Sequence, residues 1–149
     1  MTDVVIVDAG LGNLRSVEKS VVRAAAECGK PDLHVQHSSD PDVIRKAARI
    51  VVPGQGGFRD CATAFAGGIG DAVREQLERG TPYFGICLGL QVLFESSEEA
   101  PGEGLGWFEG HVARLRGAPA SERSAAIKVP HMGESLADLG EVHLTAKAR

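Results

Sequence analysis

The sequence lacks several features that would each indicate a different class of protein. No apolar run approaches the roughly 20 residues that span a bilayer, and no basic segment precedes the short run Val4–Val7, which is typical of a first strand and not of a signal peptide. Acidic residues outnumber basic ones, 20 to 16, so the net charge of −4 gives no reason to expect non-specific nucleic-acid binding. The three cysteines, an odd number without metal-ligand spacing, argue against a disulfide framework and a metal site and favour a reduced, cytoplasmic setting.

Glycine, in contrast, is abundant, at 19 of 149 residues, against an average of about 7%. This excess indicates several positions where the backbone turns sharply or approaches a ligand closely. The length predicts one domain covering residues 1–149, without an internal repeat or a dividing linker.

Short β-branched runs alternate with helical patterns along the first hundred residues. Strands are predicted at 4–7, 33–37, 50–52 and 83–86, and helices at 14–28, from Asp40 to before Arg49, at 58–66, 71–79 and 88–95. The alternation predicts an α/β fold, an open and mostly parallel sheet with helices on both faces. Beyond Glu99 the pattern changes, and only Trp107–Leu115 has the pattern of a further strand.

Glycine-rich or reactive turns follow three of these strands, at residues 8–13, 53–57 and 85–89. Ligand sites of parallel sheets lie at the carboxyl ends of the strands. We therefore expect these three turns to converge on one face of the molecule.

The most informative turn is Gly85-Ile86-Cys87-Leu88-Gly89, which follows a strand and opens a helix. A nucleophile flanked by glycines in this way is typical of a tight strand-to-helix turn. The helix N-terminus favours the thiolate, and the amide after the nucleophile can stabilise an oxyanion. The alternative is a buried cysteine that ends a strand. Cys28 and Cys61 have no such glycine-flanked turn, and we expect neither to act as a nucleophile.

Several motifs together resemble a known family. The segment from Gly85 to Gln91, followed by Leu93-Phe94-Glu95, resembles the nucleophile motif of class I, triad-type glutamine amidotransferases, which have a flavodoxin-like fold. Four further motifs are similar to those of the glutaminase subunits of imidazole glycerol phosphate synthase, which act in histidine biosynthesis. They are Asp8-x-Gly10-x-Gly12-Asn13-Leu14, Val52-Pro53-Gly54-Gln55-Gly56-x-Phe58, Gly104-Leu105-Gly106 and Lys128-x-Pro130-His131-Met132-Gly133. The resemblance covers about residues 3–133.

The resemblance implies a reaction without a cofactor. Cys87 would attack the side-chain amide of glutamine, ammonia would leave, and water would release glutamate from the thioester. The oxyanion would be held by the turn Gly54, Gln55 and Gly56 and by the amide of Leu88, although the family usually has a small apolar residue where Gln55 stands.

The resemblance also assigns binding residues and a partner. Gln91 and Glu99 match positions that hold the glutamine head group, although both also fit a solvated helix face. Ammonia would pass to a (β/α)₈ cyclase subunit in a heterodimer. Asn13, His131 and Met132 match positions near that interface, and Asn13 also fits a helix N-cap.

The resemblance fails at the C-terminal end. A cysteine nucleophile needs a general base and a group that orients it. The family supplies both in a His-Pro-Glu segment, which this sequence lacks. Of its histidines, 34, 37, 111, 131 and 143, only His143 lies late in the chain, and Thr145 stands where the carboxylate belongs. Residues 134–149 resemble nothing that we can align. We expect a truncated amidotransferase, and little or no glutaminase activity from a chain that ends at Arg149.

Three other functions remain open from the sequence. The first is a non-catalytic partner that keeps the fold and docks on the synthase. The second is a different enzyme with a cysteine elbow, such as a thiol hydrolase. The third is a flavodoxin-like phosphate or flavin binder, which is weakened by a first turn without hydroxyl-bearing residues and by a single Trp and a single Tyr.

Overall fold

A computed structural model of the chain describes residues 2–114. They form a four-stranded parallel sheet of order β2-β1-β3-β4 and a separate two-stranded parallel ladder, β5-β6. The strands are β1 (Val4–Val7), β2 (Val35–Ser38), β3 (Ile50–Gly54), β4 (Tyr83–Cys87), β5 (Ser96–Ser97) and β6 (His111–Val112). The helices are α1 (Leu14–Glu27), α2 (Pro41–Ile44), α3 (Phe58–Phe65), α4 (Gly68–Glu78) and α5 (Leu88–Gln91). The predicted parallel sheet is thus confirmed, with β2 at its edge.

Helices cover both faces of the sheet, as the alternation predicts. One face carries the larger core, in which Val5, Val7 and Val52 pack with residues of α2, α3, α4 and α5. The opposite face carries Val4, Ile6 and Val51, against which α1 packs its apolar stripe of Leu14, Val17 and Val21. β1 and β3 are buried on both faces, which explains their continuous β-branched sequence.

The predicted helix starts at Asn13 and Asp40 are confirmed. The Asn13 side chain accepts a hydrogen bond from the Ser16 amide at 3.2 Å, and the Asp40 side chain accepts one from the Asp42 amide at 2.9 Å. Pro41 occupies the first helical position after Asp40, where no intrahelical donor is needed.

The predicted helix at 88–95 ends earlier than expected. After Gln91 the chain tightens, since the Leu93 amide donates to the Leu90 carbonyl. The carbonyls of Val92 and Phe94 instead accept hydrogen bonds from the loop that contains Leu105 and Gly106. A tertiary contact therefore replaces the last helical turn.

Two other expected boundaries were also wrong. The helix expected at 71–79 begins three residues earlier, at Gly68, because its first turn packs Gly70 against the Phe65 carbonyl, where a Cβ atom could not fit. The strand expected at Trp107–Leu115 is reduced to the short β6, because the chain turns through Gly106 and Gly110, both with positive φ.

An apolar groove of about 640 Å³ lies between α1 and the outer side of β4. Phe84 and Ile86 line it and are 63% and 36% exposed. Because successive strand residues face opposite sides, Phe84 and Ile86 lie on the face of the sheet that α1 covers. Cys87 does not line the groove. No helix within residues 2–114 is long and apolar enough to cross a membrane.

Candidate active site

Cys87 ends β4 in an unusual backbone conformation. Its φ is 55° and its ψ is −114°, and within residues 2–114 no other residue except glycine has a positive φ. Such conformations persist only where the surroundings enforce them, and they are concentrated at functional sites. The side chain is exposed, so the alternative of a buried cysteine does not hold. The predicted strand–nucleophile–helix turn is therefore present.

Three glycines allow the helix after Cys87 to lie directly on the sheet. A Cβ atom on Gly89 would stand 1.8 Å from the Val52 carbonyl oxygen, and one on Gly85 would stand 2.6 Å from the Gly89 carbonyl oxygen. A Cβ atom on Gly54 would stand 2.7 Å from the Cβ atom of Leu88. No side chain fits at these positions, so α5 is held against β3 and β4 by backbone contact.

The turn expected to hold the oxyanion lies beside Cys87. β3 and β4 pair in parallel with Gly54 opposite Cys87, so the two carboxyl ends are adjacent. Gly54 is buried, and Gln55 and Gly56 are exposed. Gly56 has a φ of 109°, which only glycine adopts readily.

The first glycine turn reaches the same place. A Cβ atom on Gly12 would lie 3.6 Å from the Cβ atom of Pro53 and 3.8 Å from the Gly54 nitrogen. Asp8 closes that turn by accepting a hydrogen bond from the Gly10 amide at 3.0 Å. The convergence of turns 8–13, 53–57 and 85–89 is thus confirmed.

The two residues expected to bind the glutamine head group have different environments. Gln91 lies in α5, one turn after Cys87, and its Oε1 atom is buried without a hydrogen-bond partner among residues 2–114. Glu99 is exposed in the loop after β5, and its amide donates to the Ser97 hydroxyl at 3.1 Å. Gln91 is therefore not simply a solvated helix residue.

Asn13 is the one expected interface residue that the structure describes; His131 and Met132 lie outside the described residues. Since its side chain caps α1, we expect Asn13→Ala to destabilise the fold by about 1 kcal/mol. Asn13→Ser keeps a capping oxygen and is the matched control, with a loss of only a few tenths. Urea denaturation of both variants measures this difference, and equal stabilities would show that the cap contributes nothing.

Two further residues of this region make contacts that the sequence did not indicate. Cys61 is buried in α3, with its sulfur 3.9 Å from the Leu88 carbonyl oxygen, and burial followed by the charge of Cys87 raises its pKa to about 11. Tyr83, at the start of β4, donates its hydroxyl hydrogen to the Gly89 carbonyl at 2.5 Å. Neither belongs to a motif, and only the folded contacts identify them.

The three histidines that the structure describes lie at β2 and β6, and two of them lie close to glutamate carboxylates. His34 and His37 are exposed at the edge strand β2, two strands removed from β3, and His37 Nδ1 is 3.5 Å from Glu18. His111 Nε2, on β6, is 3.8 Å from Glu98. His131, His143 and the tail 134–149 lie outside the described residues. Within residues 2–114, no group of His, Cys, Asp and Glu side chains could hold a metal ion.

Comparison with known proteins shows extensive similarity. The family model "Glutamine amidotransferase class-I" matches residues 5–144. The chain is 44% identical over 129 residues to the imidazole glycerol phosphate synthase subunit HisH of Neisseria gonorrhoeae, an alignment that covers 86% of this chain and 60% of that protein. It is 45% identical over 135 residues to the same-named subunit of Nitrosospira multiformis, with 89% and 61% covered. The chain thus spans about 60% of the length of the curated relatives it matches.

Proposed function

The chain belongs to the class I glutamine amidotransferase family, and from this premise we propose that it is the glutaminase part of an imidazole glycerol phosphate synthase. It releases ammonia from glutamine and passes it to a cyclase subunit in histidine biosynthesis. The observation that carries the proposal is the strained, exposed Cys87 beside the Gly54–Gly56 turn.

Cys87 is the nucleophile. Its sulfur forms a bond to the side-chain amide carbon of glutamine. The carbon–nitrogen bond then breaks, and the nitrogen takes up a proton and leaves as ammonia. Water finally releases glutamate from the thioester. The first-turn amides of α5 have no intrahelical acceptor, and they follow Cys87 directly in the chain. Because the strained turn lifts the sulfur out of the sheet, a substrate can approach it.

The oxyanion forms between two carboxyl strand ends. The Leu88 amide follows the nucleophile directly, and the turn of Gly54, Gln55 and Gly56 lies across the β3–β4 pairing. A well-placed donor of this kind contributes on the order of 3 kcal/mol to stabilising the transition state. The exposed Gln55 side chain lies at the same turn, so it borders the space that the substrate enters.

Gln91 and Glu99 bind the polar groups of glutamine. A buried acceptor without a donor costs about 1–3 kcal/mol, and a substrate amide or ammonium group satisfies it. Gln91 Oε1 is such an acceptor, one helical turn from the nucleophile. Glu99 supplies the carboxylate that an ammonium group prefers.

The general base is assigned to none of the three described histidines, because His34 and His37 lie at the far edge of the sheet and His111 lies on the separate β5–β6 ladder. Residues 2–114 therefore provide the nucleophile, the oxyanion turn and the head-group residues. Whether the 149-residue chain completes the reaction, or acts as a non-catalytic partner of the synthase, is decided by experiment.

The experiment uses a diazoketone analogue of glutamine, which alkylates a thiol only where glutamine binds. We expect mass spectrometry to find one adduct, on Cys87, and excess glutamine to prevent it. Cys28→Ser, which removes an exposed cysteine outside the site, is the matched control and should label normally. Absence of a Cys87 adduct, or an adduct that glutamine does not suppress, would overturn the proposed glutamine site.

Glutamate release then separates the two roles. It is measured for the 149-residue chain with and without a cyclase subunit. Labelling together with glutamate release supports the glutaminase, whereas labelling without release supports the non-catalytic partner.

A further inference from the structure

The turn that carries Cys87 depends on a short helix, and that helix leaves one of its carbonyls without the usual donor. In a continuous α-helix the Gly89 carbonyl would accept from the amide of Leu93. Here the Leu93 amide donates to the Leu90 carbonyl, because the chain tightens after Gln91. Gly89 is buried, so its carbonyl cannot turn to solvent and needs a donor from elsewhere in the fold.

The Tyr83 hydroxyl is that donor. Its oxygen lies 2.5 Å from the Gly89 carbonyl oxygen. Tyr83 and Gly85 lie on the same face of β4, since they are two residues apart in a strand. Gly85 leaves the space into which the Gly89–Leu90 peptide fits, and Tyr83 supplies the hydrogen bond at its edge.

The hydroxyl remains a donor over the whole working pH range. Burial raises the pKa of Tyr83 well above its ordinary value, and the nearby Cys61 adds to that effect. The phenol therefore keeps its proton, and the ring packs against the main core.

We propose that Tyr83 is a positioning residue, whose hydroxyl holds α5 on the sheet and thereby keeps Cys87 in its strained, exposed conformation. The geometry of the turn around Cys87 does not depend on the proposed function. Only its effect on catalysis rests on that function. The contact links the first residue of β4 with the second residue of α5, and so spans the strained residue between them. Without it the amides that follow Cys87 lose part of their fixed orientation.

The test compares Tyr83→Phe with Thr81→Val. The first variant removes the hydroxyl from the turn. The second removes another half-buried hydroxyl, two residues earlier in the chain, which bonds to the Gln76 side chain at 3.3 Å, and it is the matched control. Hydrogen exchange is measured on a peptide covering residues 84–94 and, for comparison within the same molecule, on a peptide covering residues 68–78. Alkylation of Cys87 by iodoacetamide is measured in the same samples against the exposed Cys28.

We expect Tyr83→Phe to accelerate exchange about fivefold more in residues 84–94 than in residues 68–78. The reason is that the net stabilisation from one hydrogen bond is lost in residues 84–94. The ratio of Cys87 to Cys28 alkylation at pH 7 should fall several-fold. Thr81→Val removes a bond to Gln76, so it should affect only residues 68–78 and should leave exchange in residues 84–94 and the alkylation ratio unchanged. Equal changes in both peptides, or no change in the alkylation ratio, would show that Tyr83 acts only on general stability and would overturn the proposal.

A second measurement keeps the natural sequence. Tyr83 is the chain's one tyrosine, so 3-fluorotyrosine places a single fluorine signal at this position. Alkylation of Cys87 should shift that signal. A fluorine signal insensitive to Cys87 would contradict the proposal even if Tyr83→Phe failed to fold. Neither measurement involves glutamine, so the proposed function can fail while this one holds.

Discussion

Gly89→Ala is expected to destabilise the chain by about 3 kcal/mol or more, because the added methyl group has no space and the backbone must move. The Cβ atom would stand 1.8 Å from the Val52 carbonyl oxygen, which belongs to a buried central strand. Relief requires α5 to lift from the sheet, which also displaces Leu88 and Cys87. Urea denaturation measures the change in free energy of unfolding.

Gly67→Ala is the matched control for this prediction. Gly67 has a φ of −130°, and a Cβ atom there would meet nothing within 4 Å. Gly67 is the N-cap of α4, where alanine is less favourable than glycine, so we expect a loss of about 0.5–1 kcal/mol. If the two alanine variants were equally stable, the close contact of α5 with β3 would be refuted.

Cys87→Gly is expected to stabilise the fold by about 1–2 kcal/mol, because glycine adopts the backbone conformation of Cys87 without the steric cost. The usual effect of a glycine is the opposite, a loss of stability through the larger entropy of the unfolded chain. A gain in the free energy of unfolding at this position would therefore measure the backbone strain that the native cysteine imposes. Thermal and urea unfolding give the free energy, and the thiol-specific labelling of position 87 disappears in the same variant.

Cys87→Ala separates strain from the loss of the sulfur. It removes the thiol but keeps a Cβ atom, so it should gain no stability from the backbone. The difference between the glycine and alanine variants gives the strain energy directly. A glycine variant that is no more stable than the alanine variant would show that Cys87 is not strained in the folded chain.

The alternation of β-branched runs with helical patterns was sufficient to predict the sheet, its parallel pairing and the convergence of the three glycine turns. The caps at Asn13 and Asp40 were equally readable, because local side-chain hydrogen bonds decide them. The ends of helices and strands were less predictable where backbone from a distant segment supplies the hydrogen bonds, as it does at the carbonyls of Val92 and Phe94.

The candidate site also contains features that the sequence predicted and others that only the folded chain shows. Cys87 was predicted as a candidate nucleophile from the glycines that flank it, whereas the Gly54–Gly56 turn was assigned as the oxyanion site from the family resemblance. The contacts of Cys61 and Tyr83 were missed, because nothing in a tyrosine at the start of a strand indicates that its hydroxyl reaches the carbonyl six residues later. Their chemistry comes from burial and from what packs against them.

The sequence by itself determined the order of the elements, the strand-to-helix turn at Cys87 and the glycines without which that turn could not form, since each follows from local sterics and periodicity. Only the tertiary structure decided that the Gly89 carbonyl is held by Tyr83, that Gln91 Oε1 is buried without a partner among residues 2–114, and that α5 ends at Gln91. These features depend on segments far apart in the chain meeting at one surface, where a buried polar group must find whatever partner the packing provides.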